Sequence, residues 1–225
     1  MTINSLAAPE LSEYWSLRED THTESGAGPE GPLVVRTPDG ELRVPRPSGL
    51  LREAVRRMLL GSVSLRNVVD DFPRYDTPSD AVGDDARALL AELAQLSSVT
   101  VRTLALGAEP LLSVVPLLPG ARFAPQPCPD PGRARLIESA VVRYEDGWAA
   151  LEAPGVPYRV EFHRPEAFRL LGRLDTRAVH DPAGLLTLPR ARVPERAVDA
   201  VTAYLAGVGL VEGVEAGEET RHLRS

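Results

Sequence analysis

The sequence predicts an α+β fold in two similar halves, and three observations carry that expectation. Two hairpin signatures, at Asp39-Gly40 and at Glu145-Asp146-Gly147, each sit between apolar and β-branched residues, the pattern of a tight turn joining two strands. Each is followed by stretches with apolar residues at helical spacing. Between the halves lie six prolines (116, 119, 125, 127, 129 and 131), which by composition make a stiff spacer.

In the first half, residues 1–30 are polar, acidic and rich in glycine and proline, and read as a flexible acidic arm with Tyr14 and Trp15 pinning its middle. Residues 33–44 form the first hairpin. Ser48 caps a helix over 49–60 whose apolar stripe is Leu51, Val55, Met58 and Leu59, and Gly61 ends it. A short helix over 64–71 follows. Asp84 and Asp85 suit the start of another, because carboxylates favour the positive end of a helix, and its core face is Leu89, Leu90, Leu93 and Leu96. Residues 99–106 alternate as a strand, and 111–117 return beside it. A strand pair, three helices and a strand hairpin outline a winged helix-turn-helix-like domain over 31–117.

The second half, after a Pro-rich linker at 118–133, repeats the plan more cleanly. Strands at 136–144 and 148–153 flank the second turn, and 158–162 alternates strictly as a third strand. Pro165 sits in the first turn of a helix reaching 174, with Phe168, Leu171 and Leu174 inward. A short helix is expected at 185–188. A longer one over 194–206 shows Val198, Val201, Tyr204 and Leu205 on one face, and Gly207 and Gly209 end it before a strand at Leu210-Val211. This predicts a second winged-helix-like, peptide-binding domain over 134–217, with a tail at 218–225.

Composition narrows the chemistry. The length of 225 residues fits two domains of about 100 each. No apolar run approaches the roughly 18–20 residues of a membrane helix, and the first ten residues lack the basic and apolar regions of a secretory signal. The lone Cys128 excludes an internal disulfide, and together these features point to a cytoplasmic protein with no membrane partner. All 25 basic residues are arginine, so no lysine is present for a Schiff base, a phosphate loop or general acid catalysis. The net charge of −7 is uneven. Residues 70–92 carry seven acids against two arginines, a net of −5, whereas 158–196 carry eight arginines against five acids, a net of +3. Such blocks are ordinarily solvated surface, but the second suits an acidic partner.

No catalytic constellation is legible. His22, His163, His180 and His222 show no chelating spacing, and neither Ser62 nor Ser64 sits on a strand-turn-helix elbow. The run from Gly207 to Gly213 imitates a dinucleotide fingerprint, yet it follows a helix and precedes a strand, the reverse of the required context. Adjacent acids such as Asp70-Asp71 and Asp84-Asp85 read as caps and loop surface. The chain alone is expected to be non-catalytic, with no cofactor or metal site of its own.

Four segments, in order, carry a family resemblance: Glu13-Tyr-Trp-Ser-Leu17; Arg57-Met-Leu-Leu-Gly-Ser-Val-Ser-Leu-Arg-Asn-Val68; Val101-Arg-Thr-Leu104 with Pro110-Leu-Leu-Ser-Val-Val-Pro116; and Asp146-Gly-Trp-Ala-Ala-Leu-Glu-Ala-Pro154. Together they resemble the N-terminal region of SagB-type azoline dehydrogenases, which oxidise thiazolines and oxazolines to azoles in ribosomally made peptides. The resemblance implies a region that recognises the leader of a precursor peptide. It also implies FMN in a nitroreductase-like partner domain or subunit, with a YcaO-type cyclodehydratase as a further partner. The catalytic Lys and Tyr of that family belong to the flavin domain, and nothing catalytic is carried over to this chain.

The expected mechanism is strand addition, in which an extended leader pairs with an exposed sheet edge. The candidate edge is Tyr158, Arg159, Val160, Glu161 and Phe162, beside the helix over 194–206, with Arg159, Arg192 and Arg196 pairing with leader carboxylates. Two alternatives remain: a structural subunit that touches no substrate, and a winged-helix DNA-binding regulator. The second is disfavoured because Asp84, Asp85 and Glu92 oppose a single Arg87 on the third helix of the first half, which repels phosphate, so no nucleic-acid partner is expected.

Overall fold

The computed structural model describes residues 9–25, 31–128, 133–145, 148–168, 170–171, 174 and 194–213. Its content is mixed α and β, as predicted. Residues 9–25 of the expected acidic arm are not loose, because they supply two strands. In β1 (Leu11–Leu17) the alternate residues Leu11, Trp15 and Leu17 are buried, so polar Ser12, Tyr14 and Ser16 occupy only the other face. The strand β2 (His22–Ser25) joins the hairpin of β3 (Leu33–Thr37) and β4 (Gly40–Val44) in a three-stranded sheet.

Ser48 caps α1 (Gly49–Met58), its side chain accepting from the Leu51 N–H at 3.1 Å, and Leu51, Ala54, Val55 and Met58 form the buried face. The segment expected as a short helix at 64–71 is reduced to a single 3-10 turn, Leu65–Asn67. Asp84 and Asp85 open α2 (Asp84–Leu93), which continues as a 3-10 helix over Ala94–Val99. The hairpin of β5 (Thr100–Leu106) and β6 (Glu109–Pro116) follows.

The second half contributes β7 (Ala134–Leu136), β8 (Val141–Glu145), β9 (Trp148–Glu152), β10 (Tyr158–Phe162), α3 (Pro165–Phe168), α4 (Glu195–Gly207) and β11 (Val211–Gly213). Gly209, at φ +82°, takes the left-handed conformation that stops α4 before β11, so the glycine run is a helix stop and a strand. The helix expected at 185–188 and the tail at 218–225 lie outside the described residues. Among the described residues no helix is long and apolar enough to cross a membrane.

The decisive contact is between the halves. β10 pairs antiparallel with β6, so one six-stranded sheet runs β1-β5-β6-β10-β9-β8 through both. Leu104, Leu112 and Val114 of the first half lie in the same buried core as Val160, Phe162 and Leu205 of the second. A second core gathers Trp15, Leu33, Val35 and the buried faces of α1 and α2.

The Pro-rich stretch does not space two separate bodies. Ala121 is buried, the Phe123 N–H donates to Ser97 Oγ at 3.2 Å, and the Gln126 N–H donates to the Ala203 carbonyl at 2.9 Å. A Cβ on Gly207 would stand 2.3 Å from the Ala124 carbonyl oxygen, so this close approach of α4 to the stretch requires glycine.

Candidate functional site

Strand alternation divides the peptide-binding candidates between the two faces of the sheet. Tyr158, Val160 and Phe162 are buried on the helix-covered face, where burial pushes the Tyr158 phenol up to about 12. Arg159 and Glu161 point the other way. β10 is also no edge, because β6 pairs with one side of it and β9 with the other. β6 runs along all of it and β9 pairs with Val160–Phe162, so no side of β10 is open to an added strand, which rules out strand addition there. Arg196 donates to the Pro9 carbonyl, and Arg192 lies outside the described residues.

The open face holds a continuous row. In register across all six strands stand Tyr14, Thr103, Ser113, Glu161, Ala150 and Arg143. This face bears a trough of about 860 Å³ whose lining includes Ser16, Thr103, Val115, Trp148, Arg159 and His163. A smaller hollow of about 210 Å³, lined by Arg143, Trp148, Ala150, Glu152 and Arg159, adjoins it through shared residues. Arg159 Nε donates to Glu161 Oε1 at 2.8 Å while its guanidinium lies 5.4 Å from the centre of the Trp148 ring.

At the centre, Ser113 Oγ is 2.6 Å from Thr103 Oγ1 and 2.7 Å from His163 Nε2. Burial lowers the His163 pKa below its ordinary value, against the pull of the Glu161 carboxylate, so the imidazole is neutral at pH 7. The Ser113–His163 distance suits a nucleophile and its base. However, Ser113 is only 4% exposed, its hydroxyl is shared with Thr103, and among the described residues no acid orients the other ring nitrogen. The chain Thr103–Ser113–His163 is better suited to anchoring a polar group than to attacking one. Sequence reasoning missed it. The available signal was a lone serine inside the apolar run Leu111-Leu-Ser-Val-Val115.

A different polar cluster lies on the helix-covered face, where the two cores meet. Arg102 Nη2 and the Tyr204 hydroxyl both donate to Glu13 Oε1. The Arg102 guanidinium carbon lies 4.3, 5.0 and 5.8 Å from the ring centres of Trp15, Phe123 and Tyr204. Burial works against the Arg102 cation, yet Glu13 beside it keeps its pKa raised, and burial pushes the Tyr204 phenol well up. With both charges neutralised and nearly enclosed, this cluster ties the halves together.

No protein-family model matches the chain, and no curated protein matches it significantly. Among the described residues no group of three or more His, Cys, Asp or Glu is placed to hold a metal ion.

Proposed function

We propose that the chain is a recognition module that holds an extended peptide in the trough on the open face of its six-stranded sheet. The observation that carries this reading is the row from Tyr14 to Arg143 across a face bearing an 860 Å³ trough. The trough offers Trp148 and Val115 for apolar side chains, the His163–Ser113 pair for backbone groups, and Arg159 and Glu161 for charges of either sign. Side-chain recognition on the sheet face replaces the strand addition that the central position of β10 forbids.

The resemblance to SagB-type azoline dehydrogenases supplies the substrate class. On that reading the peptide is the leader of a ribosomal precursor, FMN belongs to a nitroreductase-like partner, and a YcaO-type cyclodehydratase makes the azolines. The winged-helix-like description of each half belongs to the same proposal, supported in the first half by the order of hairpin, α1, 3-10 turn, α2 and hairpin.

The test is titration of a fluorescent leader peptide against the wild type, Arg159→Glu and Arg196→Glu. Charge reversal at Arg159 weakens binding about tenfold, whereas reversal at Arg196, outside the trough, leaves it unchanged. Equal affinities in all three proteins return the trough to plain surface and favour a structural subunit. Azole formation on mixing with the flavin partner, measured by the mass loss of the peptide, tests the pathway separately.

A further inference from the structure

The helix-covered side holds a second cavity, of about 310 Å³, where α2, the strands β1 and β5, and the Pro-rich stretch meet. Its apolar walls are Trp15, Leu90, Leu93, Ala94 and Phe123. Of its hydroxyls, Thr100 Oγ1 donates to the Leu96 carbonyl at 2.8 Å, and Ser97 Oγ accepts from the Phe123 N–H at 3.2 Å. Arg102, which also lines it, has its charge paired with Glu13 through Nη2 and stacked against the surrounding rings, its buried Nε alone lacking a partner among the described residues. One charged group is left. Arg122 is exposed, lines the cavity, and makes no ion pair among the described residues.

An apolar pocket with one open arginine matches a particular ligand chemistry. The volume stands at the lower end of small-molecule sites, which run from roughly 300 to 1,000 Å³. With Thr100 bonded to the backbone and only the Ser97 O–H left to donate, the lining is mainly apolar, so the buried part of the ligand is largely hydrocarbon. The planar guanidinium of Arg122 pairs best with a carboxylate, whose two oxygens match its parallel N–H groups. A cationic ligand would meet the unpaired Arg122 charge. We propose that this cavity binds a small hydrophobic carboxylate, its chain between Trp15, Leu93 and Phe123 and its carboxylate on Arg122. The site lies across the sheet from the peptide trough and stands independently of the peptide reading.

Octanoate is the probe. Trp15 lines the cavity and Trp148 lines the trough, and these are the two tryptophans of the chain, so Trp148→Phe leaves emission from the cavity alone. Octanoate is expected to change that emission saturably, with octylamine about tenfold weaker or worse. Arg122→Glu should weaken octanoate about tenfold and erase its preference over octylamine. Ala94→Phe, at an exposed rim position, should fill the cavity and abolish binding, with an unchanged far-ultraviolet circular dichroism spectrum showing that the fold survives. Calorimetry on the unmodified chain repeats the octanoate measurement without Trp148→Phe. No saturable octanoate binding, equal binding of octylamine, or full affinity in both variants overturns the proposal.

Discussion

Each face of the central sheet carries an arginine–carboxylate pair, and the contrast between them shows how burial assigns a role to the same chemistry. On the covered face, the side chains of Arg102 and Glu13 are 12% and 8% exposed, with aromatic rings around the cation. On the open face, those of Arg159 and Glu161 are 33% and 23% exposed and border an open trough. The first pair has lost its water and depends on its partners, so it acts as structure. The second keeps water as an alternative partner, so its groups can be exchanged for those of a ligand at small cost.

The largest effect that sharpens this contrast is at Glu13. Glu13→Gln leaves the Arg102 charge enclosed without its counter-ion and is expected to cost about 3–5 kcal/mol in denaturant unfolding. The double variant Glu13→Leu with Arg102→Met should recover part of that loss, because apolar replacement of a buried ion pair is commonly neutral or stabilising, although it leaves the buried Tyr204 hydroxyl without its acceptor. Failure of the double variant to recover would show that the cluster does more than neutralise itself.

A smaller effect is expected at the centre of the open face. Ser113→Ala removes a hydroxyl bonded to both Thr103 and His163 and should cost about 1 kcal/mol in the same measurement. The His163 pKa lies below 6.5 in the fold, so the unfolded chain binds a proton there more readily. The contribution is whole above pH 6.5 and is lost as pH falls through the folded value. His163→Gln should flatten this acid-side decline in a pH series of melting curves.

Smaller again, Arg159→Ala is expected to lower stability by no more than about 0.2–1 kcal/mol while weakening peptide binding. A stability loss as large as that of Glu13→Gln would erase the distinction between the faces. The smallest effect lies outside the sheet, at Glu53 on α1. The hydrogen bonds from Arg56 and Arg57 hold this partly exposed carboxyl down to about 2 from 4.5. Its contribution is present above about pH 4.5 and fades as pH falls toward 2, so Glu53→Gln should change only the acid end of the stability profile, by little.

What was legible in the sequence follows the range of the interactions. The Ser48 cap, the acidic start of α2 and the alternation of Tyr158–Phe162 are local, and each appears where its residues place it, while the first hairpin turns one residue earlier than expected, on Pro38-Asp39, with Gly40 opening β4. Alternation also separated Arg159 and Glu161 from Tyr158, Val160 and Phe162. It did not reveal that β10 has two neighbours, because the pairing of Tyr158 with Pro116 leaves no local mark. β1 was hidden for another reason: Ser12, Tyr14 and Ser16 fill its outward positions, and with Glu13 among the inward ones a polar average conceals Leu11, Trp15 and Leu17. The Ser113–His163 contact joins residues 50 positions apart, and neither belongs to a motif.

The junction of β6 and β10 also sets a timetable for synthesis. Tyr158 is 42 residues beyond its partner Pro116, which follows by subtracting their numbers. At about 5–20 residues per second, a ribosome needs roughly 2–8 s to deliver it. During that interval β6 has β5 on one side and an unpaired edge on the other, with Leu111, Leu112, Val114 and Val115 along it. Such an edge recruits strands from neighbouring nascent chains. Crowded polysomes, low temperature and a pause within 117–157 all lengthen this exposure. The yield of native protein is therefore expected to fall when elongation across 117–157 is slowed.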